Sequence, residues 1–438
     1  MNFLLLIIAL SQDTLYLSLN DALNRASREN FLILASQLQV SSAEAQKNQA
    51  RSVFMPQVKL DGSYRRVSLV QEMKSFQLDS LVMIRPGVYI PVGHSVSIPF
   101  GQKDNYQVNL GISQPIFTWG TLLRTYKISA INLKDKILSD SLTREQITYQ
   151  VKQLYVYGLI LREFVNLSYK VDRELLEHYE TTKEKYNLGT ATEIEFLQAE
   201  SKYKNNRVQI LEAERQYNEI IDMFRVLLNI GPDTCIMLSD SLNFDPDYVE
   251  SLLNTWFDDE KRYDLRSMKY KLEIIELSKK NAAASNLPTI FYSFNYLLQK
   301  PFGFENVWKD YWALTVGISV PLFDGLKGSF QMRELFYQKK ALEYSLAFQR
   351  NHARVEYEKA KRNLINALSK YEVQKDNLKV AEKLYNTVKT QYEQGFATQL
   401  DFIDAETNYF AQRAYTIQAL GDCILKTIEL EKTLKGIK

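Results

Sequence analysis

Two periodicities divide the chain. Tyr357, Leu364, Tyr371, Leu378, Tyr385 and Tyr392 recur at every seventh position, with Ala360, Ala367, Gln374, Ala381 and Val388 between them. Phe196, Tyr203, Ile210, Tyr217 and Phe224 alternate in the same way with Ala199, Asn206, Ala213, Ile220 and Leu227. A sustained seven-residue repeat of large and small residues predicts coiled-coil helices packed as tight antiparallel hairpins. One predicted helix, from about 122 to 188, is on the order of 100 Å long at 1.5 Å per residue. That length suits a rod or a tunnel wall.

Elsewhere the period is two. Tyr106, Val108, Leu110 and Ile112 alternate with Gln107, Asn109, Gly111 and Ser113. Trp312, Leu314, Val316, Ile318 and Val320 alternate with Ala313, Thr315, Gly317 and Ser319. Ile290, Tyr292, Phe294 and Tyr296 oppose Ser293 and Asn295, and Val58, Leu60 and Tyr64 oppose Gln57, Lys59, Asp61 and Ser63. Strands are therefore expected at about 57–67, 105–115, 288–298 and 311–321, each with a dry and a wet face. Two architectures fit: a soluble sheet packed on a helix, or a membrane barrel apolar toward lipid and polar toward a lumen. A run of about nine to eleven residues is enough for a tilted crossing.

These patterns occur twice. "YNLGTATEIEFLQAE" (186–200) and "YEQGFATQLDFIDAE" (392–406) stand 206 residues apart, and so do "GISQPIF" (111–117) and "GISVPLF" (317–323). "MPQVKLDGSY" and "LPTIFYSFNY" pair Pro56 with Pro288, 232 apart. The surplus lies in the first half, where "IRPGVYIPVGHSVSIPFGQ" is rich in turn formers and is expected to be a loop. The chain thus reads as a first repeat over 12–229 with a hairpin tip at 188–192, an irregular connector over 230–261, and a second repeat over 262–438 with a tip at 394–398. Residues 1–11 carry a short apolar run ending in Ala9-Leu10-Ser11, a signal-peptide pattern without its basic start, as in a truncated leader.

Four strands per chain cannot close a barrel, and open edges in lipid leave unpaired backbone groups. Closure takes at least about eight strands, so several copies must share one barrel, and three would give twelve strands. Composition removes other classes. With 54 basic and 52 acidic residues, the net charge of +2 gives no field for nucleic acid. No run reaches about 18 apolar residues, so no transmembrane helix is expected. Cys235 and Cys423 are free thiols or one bridge. His94, His178 and His352 lack ligand spacing and read as surface residues, His94 in a loop and the others on helices. No metal, cofactor or catalytic residue is assigned. A pore-free, soluble coiled-coil scaffold of the periplasm remains the alternative to a channel; it would have no use for four strands with apolar outer faces.

At the tips, Gly189 and Gly395 break strong heptads, as glycine does at helix ends. Thr192 and Thr398 stand where the following helices need N-caps, with Glu193, Glu195 and Asp401 in the first turn. Capping alone is enough to explain these residues. Trp119, Tyr292, Tyr296, Tyr311 and Trp312 fit an interfacial aromatic girdle or an ordinary core.

The duplicated tip phrases, the strand ends with their trailing glycines Gly120 and Gly325, and the strand starts at Pro56 and Pro288 together resemble the TolC-like outer-membrane efflux proteins, over roughly 17–434. Phe31 and Tyr263 depart from that pattern, standing where the family often has proline. The resemblance implies a homotrimer with a twelve-stranded barrel in outer-membrane lipid and a helical tunnel across the periplasm. It implies no catalysis: the duct serves an inner-membrane pump through a periplasmic adaptor, in multidrug or other efflux or in type I secretion. Leu188, Gly189, Thr190, Gly395, Phe396 and Ala397 would meet the adaptor. Asp401 and Asp404 match acidic residues that close the pore, with Glu195 the first-half partner of Asp401. On a threefold axis each makes a ring of carboxylates that favours cations, with the aspartates' proton affinity raised by crowding. Tyr392 matches a tethering tyrosine, but its usual arginine partner is here Ala397.

Overall fold

The computed structural model describes residues 14–303 and 305–434; the expected leader lies outside the described residues. The chain runs β1 (Thr14–Leu17), α1 (Leu19–Glu29), α2 (Phe31–Ser52), β2 (Gln57–Arg66), β3 (Gln71–Arg85), β4 (Val88–Phe100), β5 (Asp104–Phe117), α3 (Thr121–Asn187), α4 (Glu193–Leu228), β6 (Cys235–Leu238), α5 (Pro246–Leu253), α6 (Tyr263–Ala283), β7 (Thr289–Lys300), β8 (Lys309–Ser319), α7 (Lys327–Glu393) and α8 (Gln399–Leu434). Helices α3 and α7 have 67 residues each, α4 and α8 have 36 each. The chain is thus mostly helical with a sheet portion. Two compact units form, and neither follows a repeat. One takes the chain through Ala43, Asn132–Leu272 and Lys340 onward; the other takes Glu44–Ile131 and Glu273–Lys339.

In the helical unit the heptad seam is the buried one: Tyr357, Ala360, Leu364, Ala381 and Tyr385 on α7, and Ala199, Ile210 and Phe224 on α4. One core gathers Leu17, Val151, Tyr155, Phe224 and Leu228, with the Tyr155 hydroxyl donating to the Leu17 carbonyl at 2.8 Å. A second joins Tyr357, Leu364 and Leu430 to Val249 and Leu252. Asn30 Oδ1 accepts from the amides of Leu32 and Ile33 at the start of α2. This cap fixes the helix start, so Phe31 can take the first helical position that proline often fills. Cys235 and Cys423 are both free.

The connector is not irregular, as its turn formers predicted. It holds β6, paired in parallel with β1 from Thr14↔Cys235 to Leu17↔Leu238, and α5. The Asp-Pro pair read as a turn is a helix start: Asp245 accepts from the amides of Asp247 and Tyr248, and Pro246 sits at the first helical position.

The sheet unit contains an antiparallel sheet in the order β2-β5-β7-β8. Its register aligns the apolar positions of all four strands. Leu60, Leu110, Tyr296 and Trp312 form one row, and Val58, Ile112, Phe294 and Leu314 the next. The opposite face carries Lys59, Gly111, Asn295 and Ala313, then Gln57, Ser113, Ser293 and Thr315. Tyr311 corrects the sequence reading. It pairs with Leu297, one residue out of phase with Trp312, and its hydroxyl donates to Gln299 on the polar face at 3.5 Å. It therefore does not belong with Trp312 and Tyr296 in an outer girdle.

The expected loop of the first half is a second correction. Residues 71–100 form β3 and β4, a two-stranded antiparallel ribbon paired from Gln71↔Phe100 to Arg85↔Val88 and turning at Pro86-Gly87. Its prolines, Pro91 and Pro99, sit in a strand with no third partner, where a missing amide costs least. Around them, Ile90, Val92, Val96 and Ile98 supply strand-forming side chains. At the junctions of sheet and helix, Trp119 and Gly120 in the first half and Gly325 and Leu326 in the second all have φ between 53° and 75°. The duplication thus preserves a left-handed pair while exchanging which member is glycine, so Gly120 and Gly325 are not register-equivalent. No helix among the described residues is long and apolar enough to cross a membrane.

Candidate functional site

The two hairpin tips are built alike. In the first, Gly189 has φ 74°, and the Thr190 and Ala191 amides donate back to the Lys185 carbonyl at 2.9 and 3.2 Å. In the second, Gly395 has φ 79°, and the Phe396 and Ala397 amides donate to the Gln391 carbonyl at 2.8 and 3.3 Å. Each turn closes the last carbonyls of one helix, and a capping box opens the next. The Glu195 amide donates to Thr192 Oγ1 at 3.2 Å while the Thr192 amide donates to Glu195 Oε2 at 2.7 Å. Asp401 and Thr398 exchange the same pair at 3.2 and 3.0 Å. Behind each tip lies an aromatic zipper. Tyr186 stacks on Phe196 and Tyr179 on Tyr203; 206 residues on, Tyr392 stacks on Phe402 and Tyr385 on Tyr409.

The sequence-predicted residues divide by this geometry. Leu188, Gly189, Thr190, Gly395 and Phe396 are exposed, Phe396 at 82%, and Ala397 is half-buried. Asp401 and Asp404 are exposed, with Phe402, Ile403 and Ala405 buried between and beside them. Glu195 and Asp401 are both committed to capping boxes. Within the chain, the hydroxyl and amide of Thr398 hold the Asp401 carboxyl below the usual range, opposite in sign to the crowding expected on an axis. Tyr392 lies between Phe402 and His178, with Lys185 Nζ 5.3 Å from its ring centre. Burial, then Glu195, pushes its hydroxyl pKa up.

Four further residues stand where the hairpins meet, and of these the sequence reading named only His178. Gln399 Nε2 donates to the Glu195 carbonyl at 2.9 Å. Lys202 Nζ donates to the Ile403 carbonyl at 3.3 Å and to Thr407 Oγ1 at 2.5 Å. His178, expected at the surface, packs against Phe402 and Tyr392 at 5.2 and 6.0 Å, and its Nε2 has no partner. Burial, then Lys185 and Lys202, lowers its pKa. Glu406 is 2% exposed, and burial pushes its carboxyl up to about 7. The heptad frame held a signal for Glu406: it follows Phe402 by four and precedes Tyr409 by three, which places it on the buried stripe.

The sheet presents the second feature. Its apolar rows are exposed rather than packed on a helix: Leu60 is 72% exposed, Trp312 66% and Val316 68%. Aromatics mark both ends. Tyr64, Tyr106 and Trp308 adjoin at the end nearer the ribbon, with ring centres 5.0 and 5.9 Å apart. Trp119 lies at the helical end against Phe117, and its Nε1 donates to the Pro288 carbonyl at 2.7 Å. Tyr292 sits on the apolar face toward that same end, paired with Gln114 and Val316.

A dry sheet face bounded by aromatics, joined in sequence to duplicated long hairpins, defines a class of membrane export proteins. The chain belongs to the outer membrane efflux protein family, whose sequence model matches residues 22–228 and 260–434. The fold is that of solved family channels at low identity. CusC superposes with a TM-score of 0.76 at 14% identity, covering 98% of this chain and 95% of that one. VceC of Vibrio cholerae gives 0.74 at 17% identity, covering 95% of each. The open state of MtrE of Neisseria gonorrhoeae gives 0.73 at 15% identity, covering 95% of this chain and 88% of that one. No curated protein matches the sequence.

Proposed function

We propose that three copies of this chain close one twelve-stranded outer-membrane barrel, continued by a periplasmic helical tunnel that is the passive exit duct of a tripartite efflux or type I secretion system. The observation that carries the reading is the exposed apolar face of the four-stranded sheet. In water its rows would be a large unsatisfied patch; in lipid they are the expected outer surface of a barrel. The free edges of β2 and β8 support sharing, because each needs a strand from another copy. The exposed tip residues Leu188, Gly189, Thr190, Gly395 and Phe396, with Ala397, form the contact for a periplasmic adaptor that couples the duct to an inner-membrane pump. Asp401 and Asp404 line the constriction. The 71–100 ribbon, continuing β2 and β5, extends on the extracellular side.

Fractionation followed by native mass spectrometry tests this. The protein stays with the outer membrane until detergent is added, and then has the mass of three chains. A single chain in the aqueous fraction contradicts the proposal and favours a soluble coiled-coil scaffold.

A further inference from the structure

Under the tips, α3, α4 and α8 enclose a mostly apolar cleft of about 790 Å³, and Lys202, Glu406 and Thr407 share its wall with Phe164, Leu175 and Phe410. Lys202 reaches across it from α4 to α8, donating to the Ile403 carbonyl and Thr407 Oγ1. Glu406 sits one residue before Thr407 and is almost wholly buried. Its charged surroundings come from every helix around it. Lys202 of α4 and Lys389 of α7 favour its ionised form, and Glu174 of α3 opposes it. The Tyr385 hydroxyl of α7 is turned to Glu174 at 3.3 Å. Asp404, on α8 itself, acts on Lys202 from the exposed side. The first repeat has no such arrangement, because Glu200, the equivalent of Glu406, pairs with Lys204 at 2.7 Å toward solvent.

We propose that Lys202 and Glu406 form a proton-controlled latch between the two hairpins: while Glu406 is neutral the tips stay joined, and its ionisation releases them. The proposal rests on reading the tips as the gated end of a duct. A carboxylate in this cleft is poorly solvated and faces Glu174. It is relieved if it draws the Lys202 ammonium away from Ile403 and Thr407, or if α8 moves until water reaches it. Either movement undoes the same joint. Burial raises the Glu406 pKa to about 7, from 4.5 in water. Opening therefore releases a proton, and rising pH favours the open form, by at most about tenfold per pH unit for one linked group. The neighbouring His178 has its pKa lowered, by burial first and then by Lys185 and Lys202.

Hydrogen exchange of residues 396–408 in the detergent-solubilised full chain tests the latch without needing ion flow. Wild type and Glu406→Gln are compared at matched pH, so intrinsic exchange cancels. Their rate ratio is expected to stay near one at pH 4 and to rise to roughly tenfold or more by pH 8. Lys202→Met is expected to exchange faster than wild type at both pH values. A ratio independent of pH overturns proton control, and unchanged exchange in Lys202→Met overturns the latch. Conductance of the same proteins in planar bilayers reads the duct separately. Absence of current alongside the expected exchange pattern contradicts the channel reading and leaves the latch standing.

Discussion

Glu200 and Glu406 are equivalent in the duplication and opposite in environment, one paired with Lys204 near solvent, the other buried over a cleft. A carboxyl pKa raised from 4.5 to about 7 contributes stability that is complete below pH 4.5 and is lost as pH rises through 7. Glu406→Gln should thus match wild-type stability at pH 4 and exceed it by up to about 3 kcal/mol at pH 8. Denaturant melts at the two pH values check this, and equal differences at both contradict it. His178 has the reverse sign: its lowered pKa makes the fold lose stability as pH falls below 6.5. The two acids of the second tip also separate. Asp404→Asn should lower cation selectivity and leave the melt unchanged. Asp401→Asn should lower selectivity and also lower the melting temperature, because the charged acceptor of its capping box is lost. Bilayer reversal potentials with melts check both; equal melts for the two variants contradict the division of roles. Glu406 was hard to find in the sequence because a charged side chain reads as solvated by default, and only its place on the heptad stripe argued otherwise.

At the scale of elements, the tips depend on one backbone conformation. Nothing lies within 4 Å of a Cβ added at Gly189 or Gly395, so the cost of Gly→Ala there is purely the positive φ. Each substitution should cost about 1 kcal/mol, equally in both repeats. Melts of the two single variants check this, and a large inequality would mean that one tip makes further contacts. The long hairpins were legible because a 3.5-residue period sustained over many turns has one structural solution. The sheet was legible because period-two alternation and the 206-residue register agreed. The β3–β4 ribbon was not, since prolines and glycines that break a central strand are tolerated in an edge strand. The connector failed for a related reason: an Asp-Pro pair opens a helix as readily as it makes a turn. Tyr311 failed because aromatic identity was weighed without strand phase.

At the scale of the whole molecule, the family match gives the class, and the sheet gives the physical demand for lipid. Leu314→Lys places a charge on the apolar face beside Phe294. It should cost about 2–4 kcal/mol if that position lies near the bilayer midplane and reduce the amount recovered in outer membranes. Ser293→Lys, on the opposite face, should be tolerated. Immunoblots of membrane fractions check the pair, and equal loss for both contradicts the assignment of faces. The most direct measurement of the central claim is single-channel recording of the purified oligomer in a planar bilayer. The account predicts discrete, cation-selective current steps that grow when Lys202→Met loosens the tips. An inserted oligomer that passes no current, in wild type and in Lys202→Met alike, would contradict it.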